Sequence, residues 1–261
     1  MQIRWLGWAG VEIETDGARL VIDPLEDARA VFAPLGERAA AIPAPAVARG
    51  QGDAVAGLVT HLHRDHTDAG ALALCLAPGA PVLEPQSWGG EFLEQAALAQ
   101  ADAELTAAEL DRRPLAPWTT VEAGPFTITA IPAADGTGDP QVSWLVEAEG
   151  RRVLHLGDTL FHGWWWRIAE RYGAPDLVCA PINGARVCFP HRQPASPLAA
   201  VMDPDQAALA ADLLGAETVL PIHYDGYDAP GLYEPVADPL ARLQAACDRV
   251  VVPGLGEPLE V

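Results

Sequence analysis

Seven consecutive residues, Thr60-His61-Leu62-His63-Arg64-Asp65-His66, hold the densest chemistry in the chain. Three imidazoles and a carboxylate stand there in the order H-x-H-x-D-H. Imidazole nitrogen and carboxylate oxygen at this spacing suit zinc, manganese or iron. The plain alternative is a solvated histidine-rich loop. Only seven histidines occur in 261 residues, however, and three of them fall here. The preceding residues, 55–60, form a short apolar run that reads as a buried strand. The cluster therefore hangs from the C-terminal end of a strand, where backbone turns can aim several side chains at one point.

Four further strand ends carry groups of the same kind. Asp23 closes the apolar run 19–22, although its position before Pro24 also suits a turn-initiating aspartate. Asp135 follows strand 126–131 through Pro132-Ala133-Ala134. Asp158 follows a hairpin whose arms, 142–148 and 152–156, meet at Glu149-Gly150. His223 ends the strand 218–222.

The elements that must position these groups are mostly legible. Strands at 1–6, 11–14 and 19–22 are joined by short turns and predict an antiparallel start to a sheet. Further strands are expected at 81–85, 119–123 and 177–182, and a last one at 249–252. Helices are expected around 72–76, over 91–109 (as one or two), over 164–173 with Gly173 as cap, over 205–214 closed by Gly215, and over 239–247. Residues 25–53, rich in Ala, Pro and Arg without periodicity, are expected to supply a wall of the site.

Composition narrows the classes. The length fits one domain, residues 1–261, with a substantial core. A net charge of −20 argues against a nucleic-acid partner, because phosphate binding relies on a basic surface. It is compatible with a small anionic substrate where divalent cations reverse the local sign. Cys75, Cys179, Cys188 and Cys247 lack C-x-x-C spacing and read as reduced thiols. There is no basic-then-apolar leader and no uncharged apolar run of about 18 residues, so a cytoplasmic protein off the membrane is expected.

Taken together, these motifs resemble the metallo-β-lactamase superfamily. T-H-L-H-R-D-H is similar to its signature, V-I-D-P to its first motif, L-H-L-G-D-T to its bridging aspartate and P-I-H-Y to its last histidine. M-D-P before a helix and P-I-H-Y resemble the branch containing L-ascorbate-6-phosphate lactonase. The resemblance implies an α+β four-layer αββα sandwich with two divalent ions at one edge, zinc or manganese, or else iron or magnesium. Carried over, His61, His63 and Asp135 would hold one ion, and Asp65, His66 and His223 the other. Asp158 would bridge them, and Asp23 would buttress the loop. Two positions depart from the pattern. Asp135 stands where histidine is usual, and a harder, charged donor favours manganese, iron or magnesium over zinc. Trp8 stands where relatives often have histidine, which is expected to alter the pocket wall.

The implied reaction is hydrolysis of a small ester, lactone or phosphoester by a hydroxide generated at ions about 3.5–4 Å apart, with Asp65 taking the proton and Asp158 essential to the site. The alternative is a degenerate or mononuclear site that binds without catalysis. The irregular stretch 183–201 is expected to overhang the ions, making Arg186, His191 and Arg192 candidates for a substrate anion. A solvated loop with surface arginines is the alternative, favoured more for Arg192 than for Arg186. His162 and Tyr224 are further candidates for the pocket rim, with Asp225 and Tyr227 beside Tyr224. His155, inside a strand, reads as structural. Three adjacent tryptophans, 164–166, cannot share one helix face, so at least one is core or interface, and a homo-oligomer is compatible with such a surface.

Overall fold

The computed structural model describes residues 1–26 and 52–261. The expectation placed on residues 25–53 therefore lies almost wholly outside the described residues.

The first sheet begins as expected, with β1 (Gln2–Gly7), β2 (Gly10–Thr15) and β3 (Ala18–Ile22) pairing antiparallel in sequence. It then turns parallel through β4 (Ala54–Leu58), β5 (Pro81–Pro85) and β6 (Asp111–Leu115), with α1 (Ala69–Cys75) and α2 (Phe92–Ala107) as crossovers. Strand β15 (Pro258–Glu260) closes the other edge against β1. The second sheet holds β7 (Thr120–Ala123), β8 (Phe126–Pro132), β9 (Val142–Ala148) and β10 (Arg151–His155) as a meander, then β11 (Leu177–Pro181) and β13 (Thr218–Ile222) in parallel. A small ribbon pairs β12 (Arg186–Val187) with β14 (Tyr233–Glu234).

Three apolar clusters define four layers. Ile13, Leu58, Phe126, Trp144 and Leu220 belong to the cluster that fills the space between the sheets. Leu72 and Leu105 carry α1 and α2 onto the outer face of the first sheet. Trp165, Ile168, Leu214 and Leu243 carry α3 (Trp165–Tyr172), α4 (Pro204–Leu214) and α5 (Pro239–Ala246) onto the second. Both faces of the sheets are thus covered, which is why β11 is buried at every position. The four-layer αββα sandwich is the architecture expected. Among the described residues, no helix is long and apolar enough to cross a membrane.

Local sequence explains most boundaries. Asp203 and Gln206 form a capping box at the start of α4, Pro204 follows the cap, and Gly215 ends the helix in the left-handed region. Of the three tryptophans, Trp165 is fully buried while Trp164 and Trp166 face outward. Residues 91–109 contain one helix, not two. The strand expected at 249–252 is reduced to a single bridge between Val219 and Val250. Strand β6, with Asp-Arg-Arg-Pro, carries no apolar alternation because it lies at a sheet edge, where charge and proline are tolerated.

Candidate metal centre

Strand polarity brings the scattered groups together. Because β3 and β4 run parallel with Ile22 opposite Leu58, the chain leaves both strands at the same edge, and Asp23 lies under the His61–His66 loop. Strands β10, β11 and β13 also run parallel, so Asp158 and His223 emerge together from the second sheet. The sheets are tied above the loop, where the buried indole of Trp144 donates to Val59 O at 3.1 Å and Val142 N donates to Thr60 O at 3.0 Å.

Among the described residues, seven side chains converge in two groups, Asp65, His66, Asp158 and His223 in one, and His61, His63 and Asp135 in the other. Within each group the nearest ligand atoms lie within 4.8 Å of one another. The groups abut through the rings of His61 and His66, whose centroids are 4.2 Å apart.

Hydrogen bonds set the imidazoles in advance. His66 Nδ1 lies 2.7 Å from Asp23 Oδ2, which directs Nε2 inward. Thr60 donates its hydroxyl to the same Asp23 oxygen at 2.6 Å and lies 3.0 Å from His61 Nδ1, so His61 also presents Nε2. His63 is turned the other way: its Nε2 lies 2.9 Å from Asp139 Oδ2, leaving Nδ1 toward Asp135 Oδ2 at 3.9 Å. Carboxylate or hydroxyl partners on the outer nitrogen are the usual means of fixing a metal-binding imidazole. Asp135 is oriented likewise, since Oδ1 accepts from Thr137 N at 2.7 Å, Thr137 Oγ1 at 2.5 Å and Asp139 N at 3.3 Å.

The donor atoms fit a cation. Among the described residues, His61 Nε2 is buried with no hydrogen-bond partner, a costly arrangement for a polar atom unless a ligand satisfies it. His66 Nε2 and Asp158 Oδ1 face each other at 3.1 Å, and His223 Nε2 lies 2.8 Å from Asp158 Oδ2. Burial, reinforced by His66 and His63, holds His61 well below the ordinary imidazole range, so its Nε2 keeps a lone pair. Burial opposes ionisation of Asp158, but His223 and His66 outweigh it and hold the carboxyl well below its usual range. Local backbone contributes too: Trp8, Asp23 and His223 have φ of 50°, 46° and 55°, an uncommon region for residues with side chains that is also used at turns such as Asp16 and Glu149.

A cavity of about 520 Å³ opens over both groups, lined by His63, Asp65, Asp135 and Asp158 and walled by Phe189, Pro190, His191 and Tyr233. His191 thus lines the cavity. Arg186 does not. It reaches outward to Glu234 across the small ribbon, because β12 pairs with β14 there. Tyr224 stacks on Trp5 with centroids 5.7 Å apart and lines a separate cavity of about 470 Å³ with Asp225. His162 stacks on Trp165 at 3.8 Å and lines neither cavity. His155 is structural as expected, with Nε2 2.8 Å from Ala9 O.

Sequence reading missed Thr60, Asp139, Asn183 and Tyr233. The first two lie within or just after quoted motifs, and neighbours of ligands were a usable signal. Tyr233 is brought in by the ribbon, which no local pattern announces. Trp8 contributes more than a wall: its indole donates to Asp65 Oδ2 at 3.2 Å, and its ring lies over His223 at 4.0 Å.

This fold and paired imidazole–carboxylate site define a class, and sequence comparison gives the same class. Residues 18–224 match the family described as Beta-lactamase superfamily domain, and the chain belongs to that family. It is similar to a UPF0173 metal-dependent hydrolase of Azorhizobium caulinodans, 30% identical with 100% of each chain covered. A UPF0173 metal-dependent hydrolase of Methanopyrus kandleri is 29% identical over 86% of this chain and 84% of its own. Among solved structures, the metallo hydrolase Igni18 of Ignicoccus hospitalis gives a TM-score of 0.64 at 21% identity, covering 99% of this chain and 97% of its own. CmlA, a diiron beta-hydroxylase from Streptomyces venezuelae, gives 0.74 at 16% identity, and this chain spans 54% of its length. The structural likenesses establish the fold.

Proposed function

We propose that the chain is a metal-dependent hydrolase with a two-ion centre acting on a small ester, lactone or phosphoester, the class to which the L-ascorbate-6-phosphate lactonase branch also points. The observation that carries this reading is the convergence of two donor groups, with His63 and Asp135 of one and Asp65 and Asp158 of the other lining a single cavity. His61, His63 and Asp135 would hold the first ion, and Asp65, His66 and His223 the second, with Asp158 shared. Two divalent ions held there supply Lewis acidity and lower the pKa of a water toward neutrality.

The protein's own groups do the rest. Trp8 donates to Asp65 Oδ2, which also lies 3.3 Å from His223 Nε2, and Asp65 borders the cavity, where its carboxylate would take a proton from an attacking water. Tyr233 accepts from Asn183 Nδ2 at 2.7 Å, so its own O–H is available to an oxygen of the substrate. Burial, with Asp158 and Asp65 adding to it, pushes that phenol well above its ordinary pKa, so it stays a donor at neutral pH. Phe189, Pro190 and Leu232 wall the cavity with apolar surface. The careful cradling of Asp135 by Thr137 and Asp139 counts against a decayed site.

The test is metal analysis of wild-type protein and Asp135→Ala after loading with manganese or zinc. Two equivalents in the wild type and one in the variant support the reading, with manganese preferred because of the harder carboxylate donor. One equivalent or none in the wild type removes it. A screen of lactones, phosphodiesters and simple esters then identifies the bond broken.

A further inference from the structure

Arg192 lies in the irregular segment that walls the cavity, and its side chain is turned inward. Its Nη2 reaches both oxygens of Asp139, at 2.6 Å each. Asp139 is nearly inaccessible, and the same Oδ2 lies 2.9 Å from His63 Nε2. Thr137 Oγ1 also lies 2.8 Å from Asp139 Oδ2, between the two carboxylates, while the Thr137 and Asp139 amides hold Asp135 Oδ1. Asp139 therefore sits behind two of the three members of the first donor group, and Arg192 is its charge partner. In the other direction, Arg192 N donates to Phe189 O at 3.0 Å, closing a turn whose residues Phe189, Pro190 and His191 face the cavity. One side chain thus spans from the cavity wall to the back of a candidate metal ligand.

We infer that Arg192 is a positioning residue that couples the wall formed by residues 187–191 to the first donor group, acting on His63 through Asp139. The inference rests on the two-ion reading. Three features give the coupling its strength. The pair is charge-assisted and nearly buried, with side-chain exposures of 15% and 2%. Removing the guanidinium takes away the two contacts that fix the Asp139 carboxylate, so Asp139 is free to turn. A turned Asp139 no longer holds the outer nitrogen of His63, whose present orientation leaves Nδ1 toward Asp135. By linkage, an ion in the first group tightens the wall, and a wall held in place tightens the ion. Arg186, the other arginine of this segment, makes its pair with Glu234 away from the cavity and serves as the control.

The experiment compares wild type, Arg192→Gln, Arg192→Lys and Arg186→Gln by manganese and zinc titration calorimetry, with hydrogen exchange of residues 187–192 read with and without metal. The expected result is loss of affinity at one of two sites by about tenfold or more in Arg192→Gln, partial recovery in Arg192→Lys, and no change in Arg186→Gln. Metal should raise exchange protection of 187–192 in the wild type and fail to do so in Arg192→Gln. Equal affinities at both sites in wild type and Arg192→Gln, or metal-induced protection that survives the substitution, overturns the coupling. Absence of a second site in the wild type instead removes the two-ion reading. Should Arg192→Gln fold poorly, Asp139→Asn serves in its place, and it must weaken the same single site.

Discussion

Asp23 Oδ2 lies 2.7 Å from His66 Nδ1, and both side chains are fully buried. The same carboxylate accepts Thr60 N at 2.8 Å through Oδ1 and the Thr60 hydroxyl at 2.6 Å through Oδ2. One group on the first parallel strand pair therefore sets the orientation of His66 directly and of His61 through Thr60. Replacing Asp23 by Asn places an amide donor against donors. The expected outcome is a loss of about 3 kcal/mol or more in stability, with metal affinity reduced about 10–100-fold. Chemical denaturation and metal titration of the variant check both, and a variant with unaltered metal affinity would contradict the role assigned.

Gly157, just before Asp158, has φ of +62°, and a Cβ there would stand 2.9 Å from Thr60 Cβ. Gly157→Ala should lose about 1–2 kcal/mol from the backbone alone, with more from the push on Thr60. Because Thr60 and Asp158 both serve the site, metal affinity should fall together with the melting temperature. A melting temperature equal to wild type would show that the strand end relaxes freely.

Trp8 offers a way to separate hydrogen bonding from packing. Trp8→Phe keeps a ring over His223 and removes the N–H that Asp65 accepts. A charge-assisted hydrogen bond of about 1.5 kcal/mol corresponds to roughly a tenfold fall in kcat. Trp8→Ala removes both and should destabilise the fold by about 3–5 kcal/mol. Equal activity in wild type and Trp8→Phe would assign the indole to packing alone.

His162 sets a pH dependence. Burial pushes its imidazole down from 6.5 to about 4. Its contribution is therefore fully present above pH 6.5 and is lost as the pH falls through about 4, because the unfolded chain takes up the proton first. Stability measured by urea unfolding should decline between pH 6.5 and 4, and His162→Phe should flatten part of that slope. Parallel pH profiles for variant and wild type would exclude His162 as a source.

Much of this protein is decided locally. The H-x-H-x-D-H run, the apolar strands before each candidate ligand and the capped helix at Pro204–Leu214 are patterns of adjacent residues, and their types and period state their role without reference to the rest of the chain. Asp135, His223 and Asp158 are legible as strand-end residues for the same reason. What adjacency cannot convey is which groups meet across the two sheets. Arg192 turns inward and Arg186 outward only because β12 pairs with β14 and the following turn faces Asp139. Tyr233 reaches the cavity through that same ribbon, Tyr224 is diverted to Trp5, and His162 to Trp165. Identical side chains in neighbouring positions acquire opposite roles because strand pairing and turn direction, set by contacts far apart in the chain, fix where each one points.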